Sequence, residues 1–202
     1  MTSVTTAGRR APRIVRRMRK TVVLLVVLFT AFTSANGVAN GPAAGAANDE
    51  MRKLDFLAGE WKGDAWMQIG PGNRAYVLQT ERVQSKLGGQ VLLVEGLGKR
   101  KLENGTAGDV VHDALAVISW NAAKKTYRFA TWVAGRPDLE TTLDLTGPNT
   151  AVWGFDTPQG RMRYTIRLTE KGEWNEVGEM TRDHGATWTK FFEMTLQKTA
   201  GR

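Results

Sequence analysis

Apolar and polar residues alternate with a period of two along the second half of the chain, most clearly in residues 161–169. The apolar face of this segment carries Met162, Tyr164, Ile166 and Leu168. Such alternation predicts a β-strand that is buried on one face and solvated on the other. Residues 187–198 follow the same pattern, although Lys190 interrupts the apolar face and Phe191 the polar one.

Eight further strands are predicted between turns rich in Gly, Pro and Asn. They span residues 60–69, 74–86, 90–102, 111–120, 126–134, 139–145, 151–156 and 174–182. Because no helix of crossover length separates them, the sheet is expected to be antiparallel. The sequence therefore predicts an all-β, up-and-down barrel of about ten strands, with a two-sheet β-sandwich as the alternative fold. Ten alternating strands also predict a lumen wider than side chains fill.

The N-terminal quarter of the chain has a different pattern. Four basic residues within 16–20 precede an apolar run of 12 residues, Thr21–Phe32. This run is too short for the roughly 30 Å of a bilayer core and is typical of a signal peptide. We predict a signal peptide over residues 1–35 and a flexible Gly/Ala-rich linker over 36–50. The barrel domain follows over 51–200, and it begins with a short helical turn at 51–58.

The leader predicts export to the periplasm or beyond the cell, with cleavage between residues 36 and 48 and no membrane anchor afterwards. A buried core helix and a retained anchor are the alternatives to cleavage. Met18 is an alternative start, since a better-proportioned leader begins there. Paired arginines at 9–10 and 16–17 make twin-arginine export the second route beside the general one.

Charge and composition exclude several functional classes. The net charge of +8 comes largely from residues 1–35, whose seven basic residues leave 21 basic against 20 acidic ones in the rest. A nearly neutral body does not provide a nucleic-acid surface. The chain has no Cys, which excludes disulfides, thiol catalysis and a lipoprotein anchor.

A family resemblance begins at residues 54–63, LDFLAGEWKG, where a short apolar turn precedes Gly59-x-Trp61 at the start of the first strand. This resembles the calycin superfamily, which includes lipocalins, fatty-acid-binding proteins and nitrobindin-like barrels. By this resemblance Trp61, with Gly59, forms the plug of the closed end. The body, residues 51–198, looks most like an uncharacterised bacterial branch near the nitrobindins, and residues 120–132 are similar to its mid-barrel hairpin.

The resemblance to nitrobindins implies haem held by a histidine of the barrel. The chain has two histidines, His112 and His184. We expect His184 to be solvated in an Asp-His-Gly turn, and His112 to lie at the rim or surface where a strand begins. No cofactor or metal is therefore predicted, and haem binding is retained as an alternative.

The candidate ligand site consists of aromatic residues that could line the lumen. We predict contacts from Trp132, Trp153, Tyr164 and Trp188, with Arg163 as a polar anchor. Strand parity places Arg163 and the neighbouring Tyr164 on different faces of the sheet. Arg163 could therefore contact a ligand in the lumen only near an opening or a bulge.

The predicted function is that of an exported, non-enzymatic barrel that binds a small apolar molecule. An isomerase or cyclase is an alternative, with Glu95, Glu140 or Glu193 as a base in the lumen. A buried carboxylate with a raised pKa would favour that alternative. A structural or interaction protein of the envelope is the third class, and the sequence predicts neither catalytic residues nor an oligomeric state.

Overall fold

The computed structural model describes residues 42–199, and these form a closed antiparallel barrel of ten strands. The strands are β1 (Gly59–Gly70), β2 (Asn73–Lys86), β3 (Val91–Lys101), β4 (Ala107–Asn121), β5 (Thr126–Val133), β6 (Leu139–Gly147), β7 (Thr150–Thr157), β8 (Gly160–Leu168), β9 (Trp174–Thr181) and β10 (Thr189–Lys198). Sequential strands pair, and β1 also pairs with β10. The predicted barrel is confirmed, and this closure excludes the two-sheet sandwich.

The predicted strands match the observed ones closely, and the main difference is the start of β4. This strand begins at Ala107 rather than at residue 111. Its pairing with β3 changes register between Gly98 and Lys99 and again between Lys99 and Lys101. Such irregularities disturb the alternation of faces, which hides the strand from a period-two pattern.

The N-terminal side of the barrel is helical. Helix α1 (Pro42–Arg52) is followed by a single 3-10 turn at Asp55–Leu57, in agreement with the predicted helical turn. The structure corrects the linker assignment at residues 42–50, which lie inside α1. The Ala-rich sequence favours a helix, and Tyr127 anchors its end by donating a hydrogen bond to the carbonyl of Glu50 at 2.8 Å.

The remaining N-terminal predictions, the signal peptide at 1–35 and the linker at 36–41, lie outside the described residues. Within residues 42–199, no helix is long and apolar enough to cross a membrane.

One end of the barrel is closed by a densely packed apolar core. Trp61 is 2% exposed, and its indole N–H donates to the carbonyl of Leu57 at 2.8 Å. Its ring packs edge-to-face on Trp174, with centroids 5.8 Å apart. Met51 and Leu54, from the helical segment, are buried in the same core. The helical segment and the Trp pair therefore close this end.

Burial decreases along the lumen from the closed end to the other end. Inward-facing Leu143, Ala151 and Leu196 at the closed end are fully buried. His112 and Met162 also face inward, yet they lie near the opposite end and are only half-buried. The lumen is therefore open towards the turns that follow β1, β3, β5, β7 and β9.

Candidate functional site

Six aromatic side chains from β5, β7, β8 and β10 line one side of the lumen and are called the aromatic wall here. They are Phe129, Trp153, Phe155, Tyr164, Phe191 and Phe192. Trp153 stacks on Tyr164 with centroids 4.2 Å apart and planes 7° from parallel. The wall presents flat apolar faces, which suit a hydrocarbon or aromatic ligand.

The aromatic wall depends on a register change and on one glycine. The β9–β10 pairing shifts between Lys190 and Phe192, which lets two consecutive phenylalanines approach the lumen. A Cβ at Gly178 would lie 2.9 Å from Cβ of Phe192 and 3.0 Å from the ring of Tyr164. Only a glycine leaves room for these rings.

The opposite side of the lumen, on β2 and β3, carries a different set of residues, Gln79, Glu81, Gly96 and Gly98, which we call the glycine wall. Gln79 is 5% and Glu81 9% exposed, and Nε2 of Gln79 donates to Oε1 of Glu81 at 2.7 Å. A Cβ at Gly96 would lie 2.8 Å from Oε1 of Glu81, and one at Gly98 2.5 Å from Oε1 of Gln79. The two glycines therefore give these polar side chains their space.

The carboxyl group of Glu81 is perturbed by this environment. Burial raises its pKa to about 8, the hydrogen bond from Gln79 opposes the rise, and the charge of Glu176 adds to it. Glu176 therefore acts on Glu81 across the lumen. Acids whose pKa values are raised by burial and by a neighbouring charge are candidates for functional sites.

Glu176 belongs to β9, where it lies two residues before Gly178 on the inward face. It is 9% exposed, and burial raises its pKa to about 7, while the indole N–H groups of Trp153 and Trp174 oppose the rise. The indole nitrogen of Trp174 is buried without a hydrogen bond of ordinary geometry. Near Glu176, burial also raises the pKa of the Tyr164 hydroxyl to about 12, and the glutamate charge adds to the rise.

His112 lies near the open end of the barrel, which agrees with the rim expectation, but it is within β4 rather than at its start and faces the lumen. Its register partner is Gly98, and a Cβ at that glycine would lie 3.0 Å from Cβ of His112, so the imidazole is on the lumen side of β4. Burial lowers its pKa, and the charge of Arg136 lowers it further. The neighbouring register change obscured this position in the sequence. His184 is exposed in its turn, as expected.

The predicted ligand contacts do not form one site. Trp153 and Tyr164 face the lumen together. Trp132, by contrast, lies on the outer face of β5 opposite Leu115, and it is 45% exposed. Arg163 and Trp188 also lie outside the lumen, with the guanidinium 3.8 Å from the ring centroid.

Arg163 and Trp188 belong to a cleft of about 820 Å³ formed by β6–β8 and the loop that precedes β10, and the inward-facing residues Trp153 and Met162 also contribute to its lining. Nη2 of Arg163 donates to Oε2 of Glu179 at 2.8 Å. Arg163 therefore lies on the outer face of β8, as its position next to the inward-facing Tyr164 predicts. Charged residues of both signs line the cleft, among them Asp144, Asp156, Arg161 and Arg182. Its charge therefore favours neither anions nor cations.

The carboxylates proposed for the enzyme alternative are outside the lumen. Glu95 and Glu140 are exposed and pair with Arg82 and Arg128 respectively. Glu193 lies on the outer face of β10 near Lys190. Sequence reasoning missed the two lumen glutamates. Two sequence features could have indicated them. Glu81 lies at an inward position of β2, and β3 carries glycines two residues apart, Gly96 and Gly98. Glu176 lies at an inward position of β9, two residues before Gly178.

Fourteen chains of known structure match this fold. One is the crystal structure of Rv2717c from M. tuberculosis, with a TM-score of 0.52 and 12% sequence identity over 79% of this chain and 99% of that chain. At this identity the likeness shows the fold alone. No family model matches this chain, and no curated protein matches it.

The inner surface of the barrel therefore combines the aromatic wall with two buried glutamates whose pKa values are raised. Within residues 42–199, no cluster of three or more His, Asp or Glu side chains could hold a metal ion. The available chemistry of this lumen is that of carboxylic acids, one imidazole and aromatic faces.

Proposed function

We propose that this protein binds a small, mainly apolar molecule in the lumen of its barrel. The observation that carries the proposal is the aromatic wall, which faces small residues across a lumen whose open-end side chains are half-buried. A ligand that buries about 300 Å² of apolar surface gains roughly 7–8 kcal/mol before the cost of association. That cost is at least about 4 kcal/mol, so the affinity should lie in the micromolar-to-millimolar range.

The proposal includes membership of the calycin superfamily, near the nitrobindins, and export behind the leader. The ten-strand closed barrel and the buried Trp61 at its closed end support the first. The basic and apolar run before residue 35 supports the second. The proposal includes no nucleic-acid partner, because the body is nearly neutral. It includes no membrane anchor after cleavage, because cleavage would remove the apolar run and the chain has no Cys for a lipoprotein anchor.

A titration with the apolar fluorophore diphenylhexatriene tests lumen binding. Ala114 faces the lumen between Gly96 and Val133, so Ala114→Trp should occupy the ligand space and weaken binding at least tenfold. Leu115→Trp, on the outer face one residue away, is the matched control. If folded Ala114→Trp binds the probe as the wild type does, lumen binding is rejected.

The same titration with haem tests the cofactor alternative, which the inward-facing His112 favours. Nitrogen of a neutral imidazole could serve as one axial ligand, and burial keeps His112 neutral by lowering its pKa. We expect no saturable Soret shift. A shift that His112→Ala abolishes and His184→Ala does not would establish haem as the lumen ligand.

Acid–base catalysis is the second candidate function, because Glu81 and Glu176 have pKa values of about 8 and 7. A carboxylate titrating near neutral pH can remove a proton from a carbon next to a carbonyl and return it elsewhere. Deuterium exchange into 2-indanone, followed by NMR, tests this chemistry. Exchange that the variant Glu81→Gln/Glu176→Gln abolishes would support catalysis, whereas equal exchange would exclude it.

A further inference from the structure

Exposed apolar side chains are concentrated on the outer face of β3, β4 and β5. Nine large apolar residues are exposed among residues 42–199, and five of them lie on this face: Leu97, Val110, Val111, Leu115 and Trp132. We call these five the outer patch, and each is between 37% and 52% exposed. The solvated face of an antiparallel sheet ordinarily carries polar residues, so a concentration of this kind indicates an interaction surface.

The outer patch is continuous across the three strands. Leu115 is the register partner of Trp132 and lies diagonally next to Leu97. Side chains related in this way on one face of a sheet lie about 5–8 Å apart. Leu93 and Val117, which are register partners and half-buried, extend the same face towards the closed end. The patch is therefore one surface rather than a set of scattered residues.

A β-bulge enlarges the outer patch. Gly98 pairs with His112 and Lys99 with Val110, so Val111 is an extra residue without a register partner. Because His112 faces the lumen and Lys99 faces outwards, Val110 and Val111 both lie on the outer face. A regular ladder would place only one of the two valines there.

The exposed area of the outer patch matches the apolar part of a protein interface. A Trp side chain presents about 250 Å² in full, so Trp132 exposes roughly 110 Å². The four aliphatic residues expose about 70 Å² each, which gives the patch roughly 400 Å² in all. A stable dimer buries about 800 Å² per copy, and a little over half of this area is apolar. The outer patch therefore supplies most of the apolar area that one copy needs.

Both edges of the outer patch carry charges of both signs. Arg82 and Glu95 form an ion pair on the β2–β3 side, and Arg128 and Glu140 form one on the β5–β6 side. A two-fold contact brings the same surface against itself. An edge of a single sign would repel its copy, whereas these edges can pair with it. The body of the chain, with 21 basic and 20 acidic residues beyond residue 35, also produces little repulsion between copies at long range.

Other occupants suit these charges less well. An anionic lipid surface attracts clusters of basic residues, and a strongly charged protein partner requires a border of the opposite sign. Within the outer face itself, Lys99 and Asp113 again supply one charge of each sign beside Leu97. The outer patch is therefore best matched by a copy of itself.

We propose that the outer patch is the interface of a homodimer in which the β3–β5 faces of two copies pack on each other across a two-fold axis. Leu115 lies at the centre of this interface, next to Trp132, and buried aromatic residues contribute most to such contacts. An interface near the lower size limit predicts a dissociation constant of about 10–100 µM, so the dilute chain is monomeric. The dimer does not depend on lumen binding, because the outer patch and the lumen lie on opposite faces of the same strands.

Sedimentation velocity of the mature chain, from about 1 to about 500 µM, tests the proposal. The wild type should change from monomer to dimer within this range and form no larger species. Trp132→Glu and Leu115→Lys should each weaken dimerisation at least tenfold, because each places a charge inside the interface. Ile69→Glu is the matched control, since Ile69 is an exposed apolar residue outside the patch, and it should leave the midpoint unchanged. Circular dichroism confirms the fold of each variant, and Leu97→Lys replaces one that does not fold.

Three results would overturn the homodimer. The first is a wild type that is still monomeric at the highest concentration. The second is a dimer that Trp132→Glu and Leu115→Lys leave intact, or an assembly that grows beyond the dimer. The third comes from co-sedimentation with vesicles of phosphatidylcholine and phosphatidylglycerol: binding of the monomer that Trp132→Glu abolishes and Ile69→Glu does not would assign the outer patch to a lipid surface.

Discussion

The aromatic wall and the glycine wall face the same lumen but use opposite means of filling space. On β7, β8 and β10, large rings stack on one another, and a glycine at position 178 is required to admit them. On β2 and β3, glycines at 96 and 98 admit a glutamine and a glutamate. The aromatic wall buries apolar surface, whereas the glycine wall buries polar groups that would be better solvated in water.

The difference separates what holds the barrel together from what its lumen can do. Burial of aromatic rings stabilises the fold and gives a ligand an apolar surface. A buried carboxyl group lowers stability whenever it ionises, and an acid with a strongly raised pKa marks a candidate functional site. The glycine wall and Glu176 are therefore the parts of the lumen to test for specificity, and the aromatic wall is the part to test for affinity.

The largest expected effect is the pH dependence of stability. The pKa values of Glu81 and Glu176 in the folded protein, about 8 and 7, lie above their ordinary value of 4.5. Their stabilising contribution is complete below about pH 4.5 and is lost as pH rises through 7 and 8. A tenfold change in proton affinity corresponds to about 1.4 kcal/mol, so the free energy of unfolding should fall on the order of 5 kcal/mol between pH 5 and 9.

Urea unfolding of the wild type and of Glu81→Gln/Glu176→Gln across this range measures the effect. The double variant should lose most of the pH dependence, whereas Glu95→Gln on the outer face should keep it. Parallel curves for wild type and double variant would show that the two glutamates are solvated, and the contrast between the walls would then disappear.

A smaller loss is expected from the aromatic wall. Trp153→Ala removes rings stacked on Tyr164 and packed on Phe129, and should lower the free energy of unfolding by about 3 kcal/mol. Trp132→Ala, on the outer face, should cost less than about 0.5 kcal/mol. Chemical denaturation at pH 6 measures both. Equal losses would contradict the assignment of Trp153 to the lumen and Trp132 to the surface.

The fold was predictable because the alternation of apolar and polar residues within each strand shows which face of that strand is buried. In β8, alternation of four apolar residues with Arg and Thr needs no knowledge of the partner strands. The antiparallel pairing follows from the absence of crossover helices, and closure follows because it removes the exposed edges of the sheet. The start of β4 was missed where the register changes, since a bulge breaks the period on which the prediction depends. The helix at 42–50 was missed because composition indicates flexibility without showing what a segment packs against.

The site was predictable only in part, because a strand's pattern does not say which neighbours fill the space in front of it. The parity of β7 and β8 places Trp153 and Tyr164 on the inward face, as the structure does, while their contact with a ligand stays a prediction. Trp132 is also an apolar residue of a predicted strand, but it shares the outer face of β5 with Ala130. Glu81 required pairing β2 with the glycines of β3, a contact between strands that sequence spacing does not encode.

A further test concerns the close contact within the glycine wall. Gly96→Ala places a Cβ within about 3 Å of both carboxyl oxygens of Glu81. Overpacking of this kind should cost about 1–2 kcal/mol. In a Glu81→Ala background the clash is absent, so the same substitution should be nearly neutral. Gly147→Ala, which meets no atom within 4 Å, is the control, and an equal cost in both backgrounds would place the Glu81 side chain elsewhere.

The smallest expected effect comes from Trp188, in the outer cleft. Its ring lies 3.8 Å from the Arg163 guanidinium, and Arg163 keeps its ion pair with Glu179 when the ring is removed. Trp188→Leu should therefore lower the free energy of unfolding by only about 0.5–1 kcal/mol. It should leave the diphenylhexatriene affinity unchanged, because Trp188 does not face the lumen. If Trp188→Leu abolishes probe binding while Ala114→Trp does not, the ligand site lies in the outer cleft, and the two walls of the lumen serve stability alone.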